Sequence, residues 1–326
     1  MLQGRGSEIH QKSREQHAWI IRKQMNNEKK VILLVNERGP LTGAEIHAAA
    51  GGDFFDLWKV CMLSNTLQVR RTGRRFVRLD RRVEGLARLS PSILREFMTY
   101  SVVGLKQDPA ALESKAEEII TNIRMISRRK KELALQAVSD ILSGLGGKIT
   151  EENMCVILAG DIVYEMAHDV PRPERSTGRL ANGSDLDLVF VLDDKVSDSA
   201  VLELDEEIYR VKFRYLTNPA LLEEIDYVVK KMSKVRQQAV FDSFKHVVAC
   251  KILDEGELLQ GSSELFQEIR EILSRSGASK KLLQMRSQAE MFGNEAVNYF
   301  LNNASDSLPP EKTHLFYSTD EFEEFE

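Results

Sequence analysis

The chain has 326 residues, 42% hydrophobic and 29% charged, enough apolar content for two domains to bury a core each. No apolar run reaches the roughly eighteen residues a membrane helix needs and no apolar leader stands at the N-terminus, which argues against spanning or secretion and makes the cytoplasm the expected compartment. Net charge is −5, but residues 1–100 carry +8 and the remainder −13, so any polyanionic partner is expected to meet the front of the chain.

Residues 1–27 read as a polar N-terminal segment, and 28–85 as three short helices followed by two strands. Val31, Ile32, Leu34 and Val35 mark the first helix, which stops at Gly39-Pro40. Thr42 with Glu45 three residues later is a capping box that opens the second. Phe54, Leu57, Trp58, Val60, Cys61 and Met62 mark the third. From Leu67 to Leu79 two alternating strands flank Thr72-Gly73, which predicts a tight hairpin. It is strongly basic, with Arg70, Arg71, Arg74, Arg75 and Arg78, then Arg81 and Arg82. Such a face is either solvated or bound to phosphates, and five arginines on one hairpin favour nucleic acid. Three helices and a two-stranded wing resemble a winged helix-turn-helix domain. That resemblance implies base readout by the third helix and, because such domains often pair on two half-sites, a homodimer.

Residues 86–147 are expected to be a helical connector. Ser90-Pro91 starts a helix, and Ile119, Ile123, Ile126, Leu133, Ala137 and Ile141 recur at helical spacing toward a core. The run Arg128-Arg129-Lys130-Lys131 reads as a solvated face or an extension of the basic surface. Gly144, Gly146 and Gly147 end the helix and mark a domain boundary. Cys61, Cys155 and Cys250 are far apart in apolar stretches, which points to buried free thiols rather than metal ligands.

The chemistry concentrates in residues 148–305. Met154 to Leu158 is an apolar strand that runs into Gly160, where backbone amides can approach a phosphate closely. Beyond a spacer, Gly183-Ser184-Asp185-Leu186-Asp187-Leu188-Val189-Phe190-Val191 enters a buried strand with two acids at its mouth. A side-chain period of two puts Asp185 and Asp187 on one face, too close to stand without a cation, and Mg²⁺ is the hard ion that suits them. Asp226, inside the run Ile225–Val229, can join them from a neighbouring strand. Arg172, Arg175 and Arg179 in the spacer either grip a triphosphate or belong to an exposed Pro/Gly-rich loop.

Leu158-Ala159-Gly160, the Gly183-Ser184-Asp185-Leu186-Asp187 motif and a later Asp226 resemble the DNA polymerase β-like nucleotidyltransferase superfamily over about residues 150–275. Two features depart from its pattern: Asp161 stands where Ser or Gly is usual, and residues 162–184 make a long spacer. The resemblance implies catalysis by Asp185, Asp187 and Asp226 holding two Mg²⁺ ions, or Mn²⁺ in their place. Gly160, Gly183 and Ser184, with the spacer arginines, would bind the NTP. The expected reaction moves a nucleoside monophosphate to an acceptor hydroxyl. The alternative is a DNA-binding regulator whose transferase-like domain is an inactive nucleotide sensor. Helices are expected at 235–253, 265–273 and 278–302, and residues 306–326 read as an acidic tail. The fold class expected is mixed α+β: a winged helix-turn-helix, a helical linker, and an α/β nucleotidyltransferase domain with a mixed sheet.

Overall fold

Thr42 opens a helix as its spacing with Glu45 predicts. Its hydroxyl accepts from the Glu45 amide at 3.2 Å, and the Glu45 carboxylate accepts from the Thr42 amide at 2.7 Å. The computed structural model describes residues 26–174, 177–303 and 308–317, and within them the fold is mixed α+β. The chain divides into two compact units. The first draws on the described residues of Met1–Arg75, Leu89–Ile120 and Glu290–Glu326, the second on Phe76–Arg88 and Thr121–Ala289. These divisions fall elsewhere than at the glycines of 144–147.

In the first unit, helix α1 (26–38) leads to strand β1 (Leu41–Thr42), helices α2 (Gly43–Ala50) and α3 (Phe54–Leu63), and strand β2 (Leu67–Arg71). The expected hairpin does not form. Strand β3 (Phe76–Leu79), which belongs to the second unit, instead pairs with β4 (Ala87–Ser90), while β2 pairs antiparallel with β5 (Ser101–Leu105), which follows helix α4 (Ile93–Thr99). β5 also pairs with β1, so the sheet order is β1-β5-β2 and the missed strand is its centre. Its five residues are all buried, and a strand buried on both faces carries no alternation to read. α4 starts at Ile93 with Ser92 as its cap, so Pro91 precedes the helix rather than opening it. Val31, Val35, Ile46, Phe55, Trp58, Phe97, Val103 and Phe300 make this unit's core.

Helix α5 (Pro109–Gly144) contributes its first twelve residues to the first unit and the rest to the second. There follow β6 (Met154–Leu158), a short hairpin of β7 (Pro171–Pro173) and β8 (Leu180–Asn182), β9 (Leu186–Leu192), α6 (Asp198–Thr217) and β10 (Ile225–Lys231). Helices α7 (Met232–Gln238) and α8 (Phe244–Glu255), strand β11 (Glu257–Gly261) and helix α9 (Ser263–Arg275) follow, and helix α10 (Ala278–Asn302) gives its residues up to Ala289 to this unit and the rest to the first. The sheet order is β10-β9-β6-β11, with β9 and β10 parallel and the other pairs antiparallel. Period-two alternation sorts the sheet's side chains. Val156, Leu158, Leu186, Leu188 and Phe190 face α5 and α6, and Cys155, Ile157, Val189 and Val191 face α7, α8 and α9. Both faces are covered, so an acid inside β9 must be accommodated within the protein.

All three cysteines are buried and free, and burial pushes the Cys61 and Cys155 thiols up to about 12. Among the described residues no helix is long and apolar enough to cross a membrane.

Part of the expected acidic tail is structural. Helix α11 (Thr313–Phe316) inserts Phe316 against Phe55, Trp58 and Phe300, with ring centroids 5.3, 5.4 and 5.8 Å away, while residues 318–326 lie outside the described residues. Phe316→Ala should therefore lower unfolding free energy by about 3–5 kcal/mol in a denaturant titration. A loss of under about 1 kcal/mol would contradict this packing.

Candidate active site

The register of β9 and β10 decides which acids meet. Asp226 lies opposite Asp187 and Ile225 opposite Leu186. Ile225 and Leu186 both point into the core shared with α5 and α6, so Asp187 and Asp226 point together to the other face. Residues two positions earlier repeat the arrangement, Asp185 beside β9 and Glu224 beside β10, tied by the Leu186 amide donating to the Glu224 carbonyl at 2.9 Å. Carboxylate oxygens of Asp185, Glu224 and Asp226 lie within 4.8 Å of one another.

Asp187 is the most perturbed of the group. Burial pushes its carboxyl up to about 7, and the charges of Asp161, Asp226 and Glu224 add to the rise, with Arg172 pulling the other way. The residue keeps some exposed surface, but its carboxyl group is densely enclosed. Gly160 forms part of that enclosure. It has φ +71°, and a methyl there would overlap Asp187 Oδ2, so only glycine permits the approach. Gly183, at φ +61°, is held the same way against the His168 carbonyl.

Cations from two elements reach the cluster, and a third stands behind it. Arg172, on β7, pairs with Asp185 and places NH1 3.0 Å from Glu224 Oε2, while its Nε donates to the Gly183 carbonyl at 2.8 Å. Asp185 Oδ1 and Glu224 Oε2 are buried atoms, and the guanidinium is the cation that pairs with both. Lys212, on α6, pairs with Asp226 at 3.1 Å. Lys130, on α5, is fully buried, pairs with Glu223 at 2.6 Å and donates to the Asn182 carbonyl at 2.6 Å. It thus ties the end of β8 to the start of β10. Burial pulls Lys130 down and Glu223 up, each toward its neutral form, and their short contact opposes this.

Other expected site residues are placed differently. Ser184 is buried; its hydroxyl accepts from the His168 amide at 3.2 Å and donates to Asp161 Oδ2 at 3.4 Å, so it faces a carboxylate. Arg172 is committed to the acids, Arg179 is exposed, and Arg175 lies outside the described residues. On the basic stretch, Arg70 pairs with Glu113 at 3.0 Å, and Arg71 and Arg75 both pair with Glu96, at 2.9 and 2.6 Å. Arg74 and Arg78 are exposed.

Two members could have been found from spacing. Glu224 stands two residues before Asp226, as Asp185 does before Asp187. Lys130 falls on the helical stripe of Ile123, Ile126 and Ala134, not on the solvated face to which its basic neighbours belong.

Among the described residues the carboxylates that converge closely enough to share a hard divalent cation are those of Asp185, Glu224 and Asp226, while Asp187 lies on the same face outside that group. Without such an ion, Asp187 gains protons on folding, because its folded pKa lies above the unfolded value. Its contribution to stability is thus greatest at about pH 4 and falls as pH rises toward 7. In EDTA, the stability of Asp187→Asn relative to wild type should increase by on the order of 3 kcal/mol between about pH 4 and pH 8. Parallel pH profiles for the two proteins would show that Asp187 is not crowded as described. Compared with protein-family models, characterised proteins and solved structures, the chain matches none, so the site is interpreted from its own geometry.

Proposed function

We propose that the protein is a metal-dependent nucleotidyltransferase that moves a nucleoside monophosphate from an NTP to an acceptor hydroxyl. The observation that carries this reading is the register pairing of Asp187 with Asp226 on parallel strands, with Asp185 on the same face and Gly160 packed against Asp187. The polymerase β-like superfamily implies such a mixed sheet, with a glycine turn ahead of paired acids and a third acid on a later strand. Asp185, Asp187 and Asp226 would hold two Mg²⁺ ions, or Mn²⁺, and Glu224 adds a fourth carboxylate within reach of Asp185 and Asp226. Those ions would supply charge neutralisation for the triphosphate and acidify the acceptor hydroxyl.

The chain's own residues then have distinct tasks. Asp187, enclosed by Gly160, can hold its carboxylate in one place, as in-line transfer requires of its positioning groups. Asp226 is the exposed member, so its Oδ atoms are those an acceptor hydroxyl can reach to give up a proton. Lys130 keeps the two acid-bearing strand entrances in register through Asn182 and Glu223. No covalent enzyme intermediate is needed.

The first unit supports a winged-helix reading in its element order and in the sheet order β1-β5-β2, with a long insertion between β2 and β5. Nucleic acid is the acceptor class this suggests. The ion pairs of Arg70, Arg71 and Arg75 do not forbid it, since partly exposed pairs are worth only about 0–1 kcal/mol each and phosphates can replace the carboxylates. A homodimer and a cytoplasmic location fit the same reading.

One observation favours the second reading, a DNA-binding regulator with a nucleotide-sensing domain. The Ser184 hydroxyl is turned to Asp161, which sets a carboxylate where a phosphate would otherwise be received. Turnover decides between them. Pyrophosphate release from one of the four NTPs with Mg²⁺, dependent on added RNA or DNA and reduced at least about a hundredfold in Asp185→Ala/Asp187→Ala, is expected of the enzyme. NTP binding without release under any of these conditions would establish the sensor instead.

A further inference from the structure

The acidic cluster already contains a cation of the chain's own. Arg172 is set between the two strands by three contacts that use different faces of its guanidinium: Asp185 on one amino group, Glu224 on the other, and the Gly183 carbonyl on Nε. Asp185 and Glu224 are also two of the three residues whose oxygens converge closely enough to share a metal ion. A guanidinium charge on the same two carboxylates competes with a divalent ion for them. The placement is not incidental to the surrounding loop either, because β7 is aligned by pairing Arg172 with Ala181 in the β7–β8 hairpin.

We infer that Arg172 is the resident counter-ion of the metal site, displaced from Asp185 and Glu224 when the first divalent ion binds. This rests on the metal-dependent reading above. Displacement is feasible because the Arg172 side chain is about a quarter exposed, so a path to solvent is open to it. Released from the acids, it remains tethered by β7 at the mouth of the site, where its donors suit a phosphate. The long spacer between Gly160 and Asp185 thereby gains a purpose: it carries a cation that keeps crowded carboxylates neutralised until metal arrives. Lys212 is a different case. It pairs with Asp226, so its loss removes the same charge without vacating the space between Asp185 and Glu224.

The test is Mn²⁺ affinity of the full chain, without nucleotide, by the loss of free-ion EPR signal. Arg172→Gln should bind Mn²⁺ at least about tenfold more tightly than wild type, and Lys212→Gln should shift affinity by a smaller factor. Equal or weaker binding by Arg172→Gln would overturn the inference while leaving the metal site intact. No cluster-dependent Mn²⁺ binding in wild type or either variant would instead remove the metal reading, and the inference with it. Because Arg172→Gln leaves acids facing one another and can fail to fold without metal, a second readout uses wild type. Its Arg172 Nε–H resonance, assigned by its absence from the spectrum of Arg172→Lys, should move saturably as Mg²⁺ is added. Saturable Mg²⁺ binding at Asp185, seen in its carboxyl resonance, with the Arg172 signal unmoved would overturn the displacement.

Discussion

The second unit is organised around a repulsion. Two parallel strands begin with an acid, an apolar residue and an acid, and their register places Asp185, Asp187, Glu224 and Asp226 together at one end of a sheet with an apolar core on each face. Asp161 adds a fifth charge from the turn after β6. Like charges at this spacing in a partly dry site raise one another's pKa, as Asp187 shows, and they would separate the strands if nothing opposed them. The apolar ladder does oppose them. Seven residue pairs join β9 to β10, and Leu188, Val189, Phe190, Val191 and Leu192 beyond the acids of β9 are buried.

The remaining compensation comes from three cations placed by three different elements. Arg172 neutralises the upstream pair of acids, Lys212 partly neutralises Asp226, and Lys130 holds the two strand entrances from behind without touching the cluster. Only Lys130 is fully buried, and removing one member of a buried pair typically costs about 3–5 kcal/mol, so it is part of the scaffold. Arg172 is accessible and Asp226 is exposed, so the open side of the site is the side where charge can be exchanged. In the proposed function, structure and chemistry are divided in this way: the inward side fixes geometry and the outward side is where ligands would enter. Asp187 lies between the two, held by Gly160 and reached by the charge of Arg172.

Much of this was readable in the residues. Alternation in β9 and the single acid inside β10 were enough to bring Asp185, Asp187 and Asp226 to one face, and the glycine at 160 marked a close backbone approach. Pairing partners were less legible, because strands 67–71 and 76–79 alternate equally well with each other and with more distant strands. Their true partners, β5 and β4, lie beyond the presumed turn, and β5 is masked by its uniform burial. Local charge runs misled in a similar way. Lys130 sits in a basic run but faces the core, and Phe316 sits beside an acidic tail but fills an aromatic pocket. In both cases tertiary packing overrode local composition.

The central claim is that the face shared by Asp185, Asp187 and Asp226 binds divalent metal. It is tested most directly by anomalous diffraction from crystals grown with Mn²⁺ and a non-hydrolysable NTP analogue. The account predicts an anomalous peak coordinated by Asp187 together with Asp185 or Asp226, with the analogue's phosphates beside it. Crystals that hold the analogue but show no such peak, or show Mn²⁺ only elsewhere on the protein, would contradict it.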